Sequence, residues 1–269
     1  MKPETRNQKP NEVTWTPVQD YEAASRLAAQ KLFDAIAAHL DRKGNAAIGL
    51  ATGNTMIRPY QLLAELLNDA GLDLGGLATF NLDEYVDHQG RNVASDHPLS
   101  YHSYMTERLF NLLEPRLGFK LENAFFPDAE DPAGFDARLE ARGGLDLQLL
   151  GIGFNGHIAF NEPQPESEIS TEAFAALPTR VIPLAQQTIE TNARLTASGD
   201  LTAVPRKAVT MGMRQILAAR DILLVACFKE QTVPLRRIKT GRVSVETPAS
   251  FLLDHPSAEI IYTTDTITL

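Results

Sequence analysis

The feature that most constrains the fold of this chain is the stretch of residues 145–163, which reads LDLQLLGIGFNGHIAFNEP. Residues 145–152 are almost continuously apolar, and Asp146 and Gln148 are the polar exceptions before the glycines begin. Such a run is typical of a strand that is buried on both faces of a parallel sheet. A sheet of this kind needs helices on both of its faces, so the stretch predicts an α/β protein.

The second half of the same stretch has the composition of a functional site. Gly151, Gly153 and Gly156 let the backbone turn sharply or approach a ligand closely. His157 and Glu162 follow within six residues of Gly156, at the carboxyl end of the predicted strand, where open α/β sheets bind their ligands. The cluster is either a catalytic centre or a glycine-rich strand exit whose histidine makes only local hydrogen bonds. The spacing of His157 and Glu162 differs from the HExxH zinc motif, so no metal is predicted.

Charge and cysteine content narrow the classes of partner. The formal net charge of −9 argues against nucleic acid and against anionic membranes as partners. Cys227 is the single cysteine and cannot form an intramolecular disulfide, which fits a reducing compartment. The polar first residues show no signal peptide, and no apolar run approaches the length of a membrane span. We therefore expect a cytoplasmic protein.

The turn Thr52-Gly53-Asn54-Thr55 is a second candidate site. It lies between a predicted buried strand at residues 46–51 and a predicted helix at residues 56–68. A short turn that opens a helix presents backbone N–H groups and the positive end of the helix dipole, which favour a phosphate. An ordinary connection between strand and helix is the alternative, because the spacing matches neither the P-loop nor the dinucleotide-binding fingerprint.

Two adjacent acids, Asp83 and Glu84, follow another predicted strand at residues 78–82. One interpretation is a catalytic carboxylate at the edge of the sheet. The other is a pair of solvated loop residues or a helix cap. Ser100 is predicted to be the N-cap of the next helix.

The order of the predicted elements indicates a single domain over residues 14–269. Strands and helices alternate without a linker-like break. This order predicts one doubly wound, mostly parallel sheet with helices on both faces, a Rossmann-like three-layer sandwich. Residues 1–13 are predicted to be a flexible lead. Thr16-Pro17 is predicted to begin a long amphipathic helix that ends at Gly44.

The polar segment after the central stretch predicts a lid. Residues 164–178 are rich in Pro, Glu, Ser and Thr, which makes them too polar for a core, and they lie directly beside the candidate site in sequence. Closing loops commonly shield such sites from water. We therefore expect a mobile lid near residues 163–185.

Five segments of the chain match, in order, the motifs of one enzyme family. They are FNLDEY at 80–85, HPLSY at 97–101, residues 151–163 with the run GHIAFNEP, PRKAVTMGMRQILAAR at 205–220 and PASFLLDHP at 248–256. Over residues 48–256 the chain thereby resembles the glucosamine-6-phosphate deaminase (isomerase) family, which also covers galactosamine-6-phosphate enzymes. The resemblance implies that an amino-sugar 6-phosphate and water give a ketose 6-phosphate and ammonia, without a metal or a cofactor.

The resemblance also assigns roles near the reacting carbons. It implies that Asp83 is the base that moves a proton from C2 to C1, with Glu84 in support. His157 titrates near neutral pH and is the expected proton shuttle for opening the sugar ring. Glu162 is expected to orient the histidine or to tune its pKa, and Asn155 completes the expected catalytic set.

The other expected site residues bind the substrate, above all its phosphate. The turn at residues 53–55 is expected to receive the phosphate and Arg194 to clamp it, since a guanidinium binds phosphate through paired hydrogen bonds. The full set of predicted substrate-binding residues is Thr52, Gly53, Asn54, Thr55, Glu84, Gly153, Gly156, Arg194 and Lys229.

Some positions depart from the family pattern. Asn155 stands where the family often has an aspartate that partners the histidine, and an amide cannot act as a carboxylate. The usual TGGTP turn reads TGNTM here, so the second glycine and the proline are lost. Lys229 is displaced by one position from the family's phosphate-contacting lysine. The basic residues that some relatives use for an N-acetylated allosteric effector are missing after Pro163, so we expect no such activation.

Several alternatives stay open on the sequence alone. The substrate is glucosamine 6-phosphate, which gives fructose 6-phosphate, or its C4 epimer galactosamine 6-phosphate, which gives tagatose 6-phosphate. A 6-phosphogluconolactonase resembles this family in fold, but its Gly-His pair continues with a serine-containing segment instead of IAFNEP. A non-catalytic sugar-phosphate sensor is the third class. Family members range from monomers to hexamers, so a homo-oligomer is compatible with the resemblance.

Overall fold

The computed structural model describes residues 13–269. The strands are β1 (Thr14–Val18), β2 (Ala46–Leu50), β3 (Leu77–Asn81), β4 (Asp83–Val86), β5 (Ala124–Phe125), β6 (Leu147–Leu150), β7 (Arg180–Pro183), β8 (Lys207–Thr210), β9 (Asp221–Ala226) and β10 (Ala258–Thr263). The α-helices are α1 (Tyr21–Lys43), α2 (Ile57–Ala70), α3 (Tyr101–Arg108), α4 (Pro132–Ala141), α5 (Thr171–Ala175), α6 (Gln186–Thr196), α7 (Met213–Leu217) and α8 (Thr232–Lys239). The flexible lead predicted for residues 1–13 lies outside the described residues except for Val13, which is buried.

Seven strands form one parallel sheet in the order β1-β10-β9-β6-β2-β3-β5. Strand β6 is at its centre, with β2, β3 and β5 on one side and β9, β10 and β1 on the other. Helices complete a three-layer α/β sandwich, which confirms the predicted fold class. The strand order reverses between β2 and β6, and this switch point is where such sheets usually bind a ligand.

The central strands are buried because their sequences are apolar on both faces. Every residue of β2, β3 and β6 is buried. Helix α1 packs Ala28, Leu32 and Ile36 into the core at the spacing of one helix face. Gly44 ends this helix in the left-handed conformation, as predicted.

The predicted start of α1 at Thr16-Pro17 is wrong. These residues lie in β1, which pairs in parallel with β10 at the edge of the sheet. An edge strand tolerates a proline because one side of it needs no N–H donor. The helix begins at Tyr21, and Asp20 is its N-cap, with its carboxylate accepting the N–H of Ala23 at 2.9 Å.

A second, antiparallel sheet with the order β4-β8-β7 was not predicted. Strand β4 begins at Asp83, directly after Leu82, so the chain passes from the parallel sheet into the antiparallel one within two residues of the end of β3. Strand β8 lies at the centre of this sheet and pairs antiparallel with both β4 and β7. Asp83 is therefore buried at the junction of the two sheets.

Residues 163–185, the predicted lid, include many exposed residues but are anchored to the rest of the protein at several points. They include α5 and β7, and the fully buried Phe174 packs on Phe251 with a ring-centroid distance of 5.4 Å. Arg242 Nη2 donates a hydrogen bond to Glu166 Oε1 at 2.7 Å. None of these residues lines the cavity described below, and helix α6 forms its wall instead. The lid near residues 163–185 therefore stays a prediction, and in this structure these residues do not line the cavity.

Candidate active site

A cavity of about 170 Å³ opens at the carboxyl ends of β2 and β6, where the strand order reverses. Its walls come from the turn after β2, the junction of β3 and β4, the loop after β6 and helix α6. The predicted site residues that line it are Thr52, Gly53, Asn54, Thr55, Asp83, Gly153, Asn155 and His157. Glu162 lies next to His157, so the structure brings the predicted catalytic set together.

His157 and Glu162 form a buried pair. His157 Nδ1 lies 3.1 Å from Glu162 Oε2, and the two side chains are 17% and 12% exposed. Thr188 donates its hydroxyl to the other carboxylate oxygen, Oε1, at 2.7 Å. Asn155 Nδ2 donates to Glu162 Oε2 at 2.7 Å, and Asn155 Oδ1 accepts the N–H of His157 at 3.1 Å. The carboxylate holds Nδ1 of the imidazole, which leaves Nε2 to exchange protons.

The electrostatics of this pair favour its charged form. Burial alone would lower the pKa of His157, but the charge and hydrogen bond of Glu162, together with the charge of Asp83, raise this pKa overall. Burial alone would raise the pKa of Glu162, but His157 and hydrogen bonds from Thr188 and Asn155 lower it to about 2. Glu162 is therefore ionised at neutral pH, and its charge and hydrogen bond favour the protonated form of His157, which can pass a proton to a ligand.

Gly153 and Gly156 give the loop its shape. A Cβ on Gly153 would collide with the His157 ring, which lies over the backbone at this point. Gly156 has a φ of +96°, and a Cβ there would approach Thr247 Cγ2 at 3.1 Å. Glycine at 153 therefore leaves room for the ring of His157, and glycine at 156 permits the left-handed backbone beside Thr247.

Asp83 is only 7% exposed. Its Oδ1 accepts the N–H of Phe160 at 3.1 Å. Burial raises the pKa of Asp83 to about 7, against the opposing effects of hydrogen bonds from Thr210 and Phe160 and of the charge on His157. A carboxyl group with a pKa near 7 can accept a proton and return it at neutral pH, as a general base must.

The N–H of Phe160 is directed at Asp83 by a strained turn. Ala159 has a φ of +51°, a left-handed value that is uncommon for a residue with a side chain. Asn161 closes the turn through a backbone hydrogen bond, and its Nδ2 donates to Met211 O at 2.9 Å. The turn is thereby fastened next to the end of β8. Backbone strain of this kind tends to occur at functional sites.

Glu84 does not line the cavity, so its contact with substrate stays a prediction. Its Oε2 accepts the hydroxyl of Ser100 at 2.9 Å and the N–H of His102 at 3.0 Å, and its Oε1 accepts the N–H of Tyr101 at 3.0 Å. These donors stand at the N-terminus of α3, for which Ser100 is the N-cap, as predicted. Glu84 stabilises that helix end, where backbone N–H groups lack partners within the helix.

Two tyrosines hold the turn after β2 in place. The Tyr104 hydroxyl donates to Gly53 O at 2.7 Å, and the Tyr21 hydroxyl lies 3.2 Å from the carbonyl oxygens of both Asn54 and Thr55. Gly53 has a φ of +106°, which side-chain-bearing residues rarely adopt. The turn leads through a short 3₁₀ segment into α2, an arrangement suited to an anion.

Arg194 is close to the cavity but does not line it in this structure. Its guanidinium lies 6.0 Å from the centroid of the Phe154 ring, which is part of the lining. It also lies 3.7 Å from Glu230, and its side chain is 60% exposed. An exposed pair at this distance is weak, so the guanidinium is available to another anion.

Lys229 also lies outside the lining, and Gln231 occupies the cavity wall instead. Gln231 Oε1 accepts the N–H groups of Cys227 and Phe228 at 2.7 and 2.8 Å, and its Nε2 donates to Ile152 O at 2.8 Å. The amide thus ties the end of β9 to the end of β6. A glutamine just beyond a strand is too common a pattern for the sequence to have identified it.

The fold and the site together define a class of protein. A buried carboxyl group with a pKa of about 7 and a histidine–carboxylate pair share one cavity at the switch point of a parallel sheet. This is an α/β enzyme site equipped for proton transfer on a small ligand. Within residues 13–269, no helix is long and apolar enough to cross a membrane.

The chain belongs to the family of glucosamine-6-phosphate isomerases/6-phosphogluconolactonase, whose model matches residues 19–262. The glucosamine-6-phosphate deaminase of Rhodopirellula baltica is 40% identical over 250 residues, which cover 91% of this chain and 90% of the relative. That of Thermoanaerobacter pseudethanolicus is 35% identical over 248 residues, which cover 90% and 89%. The resemblance seen in the motifs is thereby confirmed.

Solved structures with the same fold include both enzyme types. A monomeric glucosamine-6-phosphate deaminase superposes with a TM-score of 0.82 at 32% identity, covering 94% of this chain and 98% of its own. The 6-phosphogluconolactonase of Thermotoga maritima superposes with a TM-score of 0.69 at 17% identity, covering 94% and 100%. The second match shows a shared fold and no more.

Proposed function

We propose that this enzyme converts glucosamine 6-phosphate and water into fructose 6-phosphate and ammonia in the cytoplasm. The observation that carries the proposal is one cavity that joins Asp83, whose pKa is about 7, to the His157–Glu162 pair and to a turn suited to phosphate. Relatives at 40% and 35% identity over most of the chain carry the name of this activity, which supports the choice of substrate.

The first step opens the sugar ring. A proton must leave the anomeric hydroxyl while another reaches the ring oxygen, and the Nε2 side of His157 performs this exchange. Glu162 keeps Nδ1 occupied at 3.1 Å, so the imidazolium that forms is stabilised by an adjacent negative charge. The product is the open-chain aldehyde with its amino group on C2.

The second step moves hydrogen from C2 to C1. Asp83 takes the C2 proton while the C1 oxygen takes a proton from His157, which gives an enolamine with a hydroxyl on C1. Asp83 then returns its proton to C1, which leaves an iminium at C2. Water adds to C2, one of its protons passes to the nitrogen and the other to His157, and the C–N bond breaks to give ammonia and the C2 carbonyl of fructose 6-phosphate. A carboxyl group with a pKa of about 7 suits both halves of the transfer.

Phosphate binding involves the turn after β2 and Arg194. Arg194 exchanges its 3.7 Å contact with Glu230 for the doubly charged phosphate, which is the stronger partner for a guanidinium. Lys229 remains a prediction as a second cation at this end of the cavity.

The test measures ammonia and ketose 6-phosphate from glucosamine 6-phosphate and, in parallel, from galactosamine 6-phosphate. Asp83→Asn is expected to abolish turnover while the variant keeps its fold. Asp41→Asn, which alters an exposed acid on α1, is the matched control and should retain parent activity. Turnover by Asp83→Asn at the parent rate would remove Asp83 as the base. Hydrolysis of 6-phosphogluconolactone without ammonia release from either amino sugar would refute the deaminase proposal.

A further inference from the structure

Thr210 lies directly across the antiparallel sheet from Asp83. Strands β4 and β8 pair with these two residues opposite each other, and their side chains are 7% and 0% exposed. Directly opposed residues place their side chains on the same face of a sheet, with Cβ atoms about 5 Å apart. Thr210 is shielded from water, so its hydroxyl needs hydrogen-bond partners within the protein.

The N–H of Phe160 connects the two side chains. It lies 3.1 Å from Asp83 Oδ1 and 3.0 Å from Thr210 Oγ1, so both oxygens share one donor. Because Thr210 Oγ1 accepts this N–H, its own hydrogen is free to donate, and the carboxylate opposite is the acceptor at hand. A hydrogen bond from Thr210 is accordingly among the effects that lower the pKa of Asp83.

We propose that Thr210 is a positioning residue for the base: its hydroxyl and the Phe160 N–H together hold the Asp83 carboxylate in one orientation and stabilise its ionised form. The inference rests on the proposed function, in which Asp83 abstracts the C2 proton. In this way the antiparallel sheet, through Thr210 on β8, controls the orientation of the Asp83 carboxylate.

Other charged and titratable groups also face Asp83. Glu84 and Tyr85 lie on β4, the strand of Asp83 itself. His157 lies on the loop after β6, and Tyr101 lies on α3. Substitution of Thr210 leaves all of them in place, so a change in the titration of Asp83 can be attributed to the lost hydroxyl.

The test compares the pH dependence of kcat/KM in two variants. Thr210→Val removes the hydroxyl at nearly constant shape, so the Asp83 carboxylate loses one of the donors that stabilise it. The pKa of Asp83 should therefore rise, and the acidic limb of the kcat/KM profile should move about one pH unit upward. Thr210→Ser keeps a hydroxyl and should restore the parent limb. Thr79→Val is the matched control: Thr79 is 2% exposed in β3, and its hydroxyl has no partner within the described residues. Its acidic limb should stay at the parent position.

A second measurement separates this inference from the proposed function. Carbon-13 NMR titration of the Asp83 carboxyl, assigned by its loss in Asp83→Asn, needs no turnover and should show the same upward shift in Thr210→Val. If the parent protein releases no ammonia, the deaminase proposal is refuted, and the NMR titration still tests the role of Thr210. A folded Thr210→Val with parent limb and parent titration, or a Thr210→Ser shifted as far as Thr210→Val, would overturn the inference. If Thr210→Val does not fold, Thr210→Ala replaces it with the same expected shifts.

Discussion

Asp83→Asn should make the protein more stable at alkaline pH while it removes activity. The pKa of Asp83 is raised from 3.8 to about 7 because the group is buried. The folded state therefore binds a proton more tightly than the unfolded state does. The stability that this proton provides is fully present below pH 3.8 and is lost as the pH rises through about 7. Asparagine keeps an acceptor for the Phe160 N–H but carries no charge, so the variant avoids this loss.

The expected magnitude follows from the size of the shift. The interval from 3.8 to about 7 spans about three pH units, and each unit corresponds to about 1.4 kcal/mol, so the parent should lose about 4 kcal/mol relative to the variant. The assay is urea unfolding of both proteins at half-unit steps from pH 4 to pH 8.5. The difference in their free energies of unfolding should grow with pH up to about 7 and then level off.

The comparison has a direct control and a clear point of failure. Asp41→Asn removes an exposed carboxylate, and its stability curve should run parallel to that of the parent. If the difference between the parent and Asp83→Asn changes by less than about 1 kcal/mol over the same pH range, Asp83 titrates normally in the folded protein. The assignment of Asp83 as a base with a pKa near 7 would then be wrong.

Three further predictions concern the remaining parts of the site. Glu162→Gln should lower the pKa of His157, because burial then acts without the carboxylate that opposes it; proton NMR titration of the histidine would show an unchanged pKa if this account is mistaken. Arg194→Met should raise KM about tenfold and leave kcat nearly unchanged, because the substrate loses about 1.4 kcal/mol of phosphate binding. Arg138→Met, on the exposed side of α4, is the control and should change neither constant. Gly156→Ala should destabilise the protein by roughly 1–3 kcal/mol, because it places a side chain at φ +96° and against Thr247, and a thermal melt equal to that of the parent would contradict this.

The sequence predicts those parts of the fold in which local signals and burial agree. The apolar run before Gly151 contains β6, the central strand. Gly44 and Ser100 are a helix end and a helix N-cap, as expected, because each of these signals depends only on neighbouring residues. The candidate catalytic cluster is likewise predictable where it is contiguous, since His157 and Glu162 lie on one loop.

The elements that the sequence does not predict are strands that form only by pairing with strands far away in the chain. Thr16-Pro17 looks like a helix start, but β10 supplies a parallel partner from the other end of the chain, and the hydrogen bond from Thr16 to Glu259 spans 243 positions. Strand β4 is equally hidden, because its four residues become a strand only through pairing with β8. The same cause conceals Thr210, whose importance comes only from its register with Asp83.

Asn155 bears on whether this chain is an enzyme or a sugar-phosphate sensor. Its Nδ2 donates at 2.7 Å to the same Glu162 oxygen that faces His157 Nδ1, and its Oδ1 accepts the His157 N–H. An ionised aspartate could not donate to Glu162 and would place a second negative charge against the first. The amide therefore fits the arrangement, because it keeps Glu162 ionised and oriented without competing for a proton. The departure at residue 155 is accordingly no argument for lost chemistry, since the protons that open the ring pass through His157 and the proton that moves from C2 to C1 passes through Asp83.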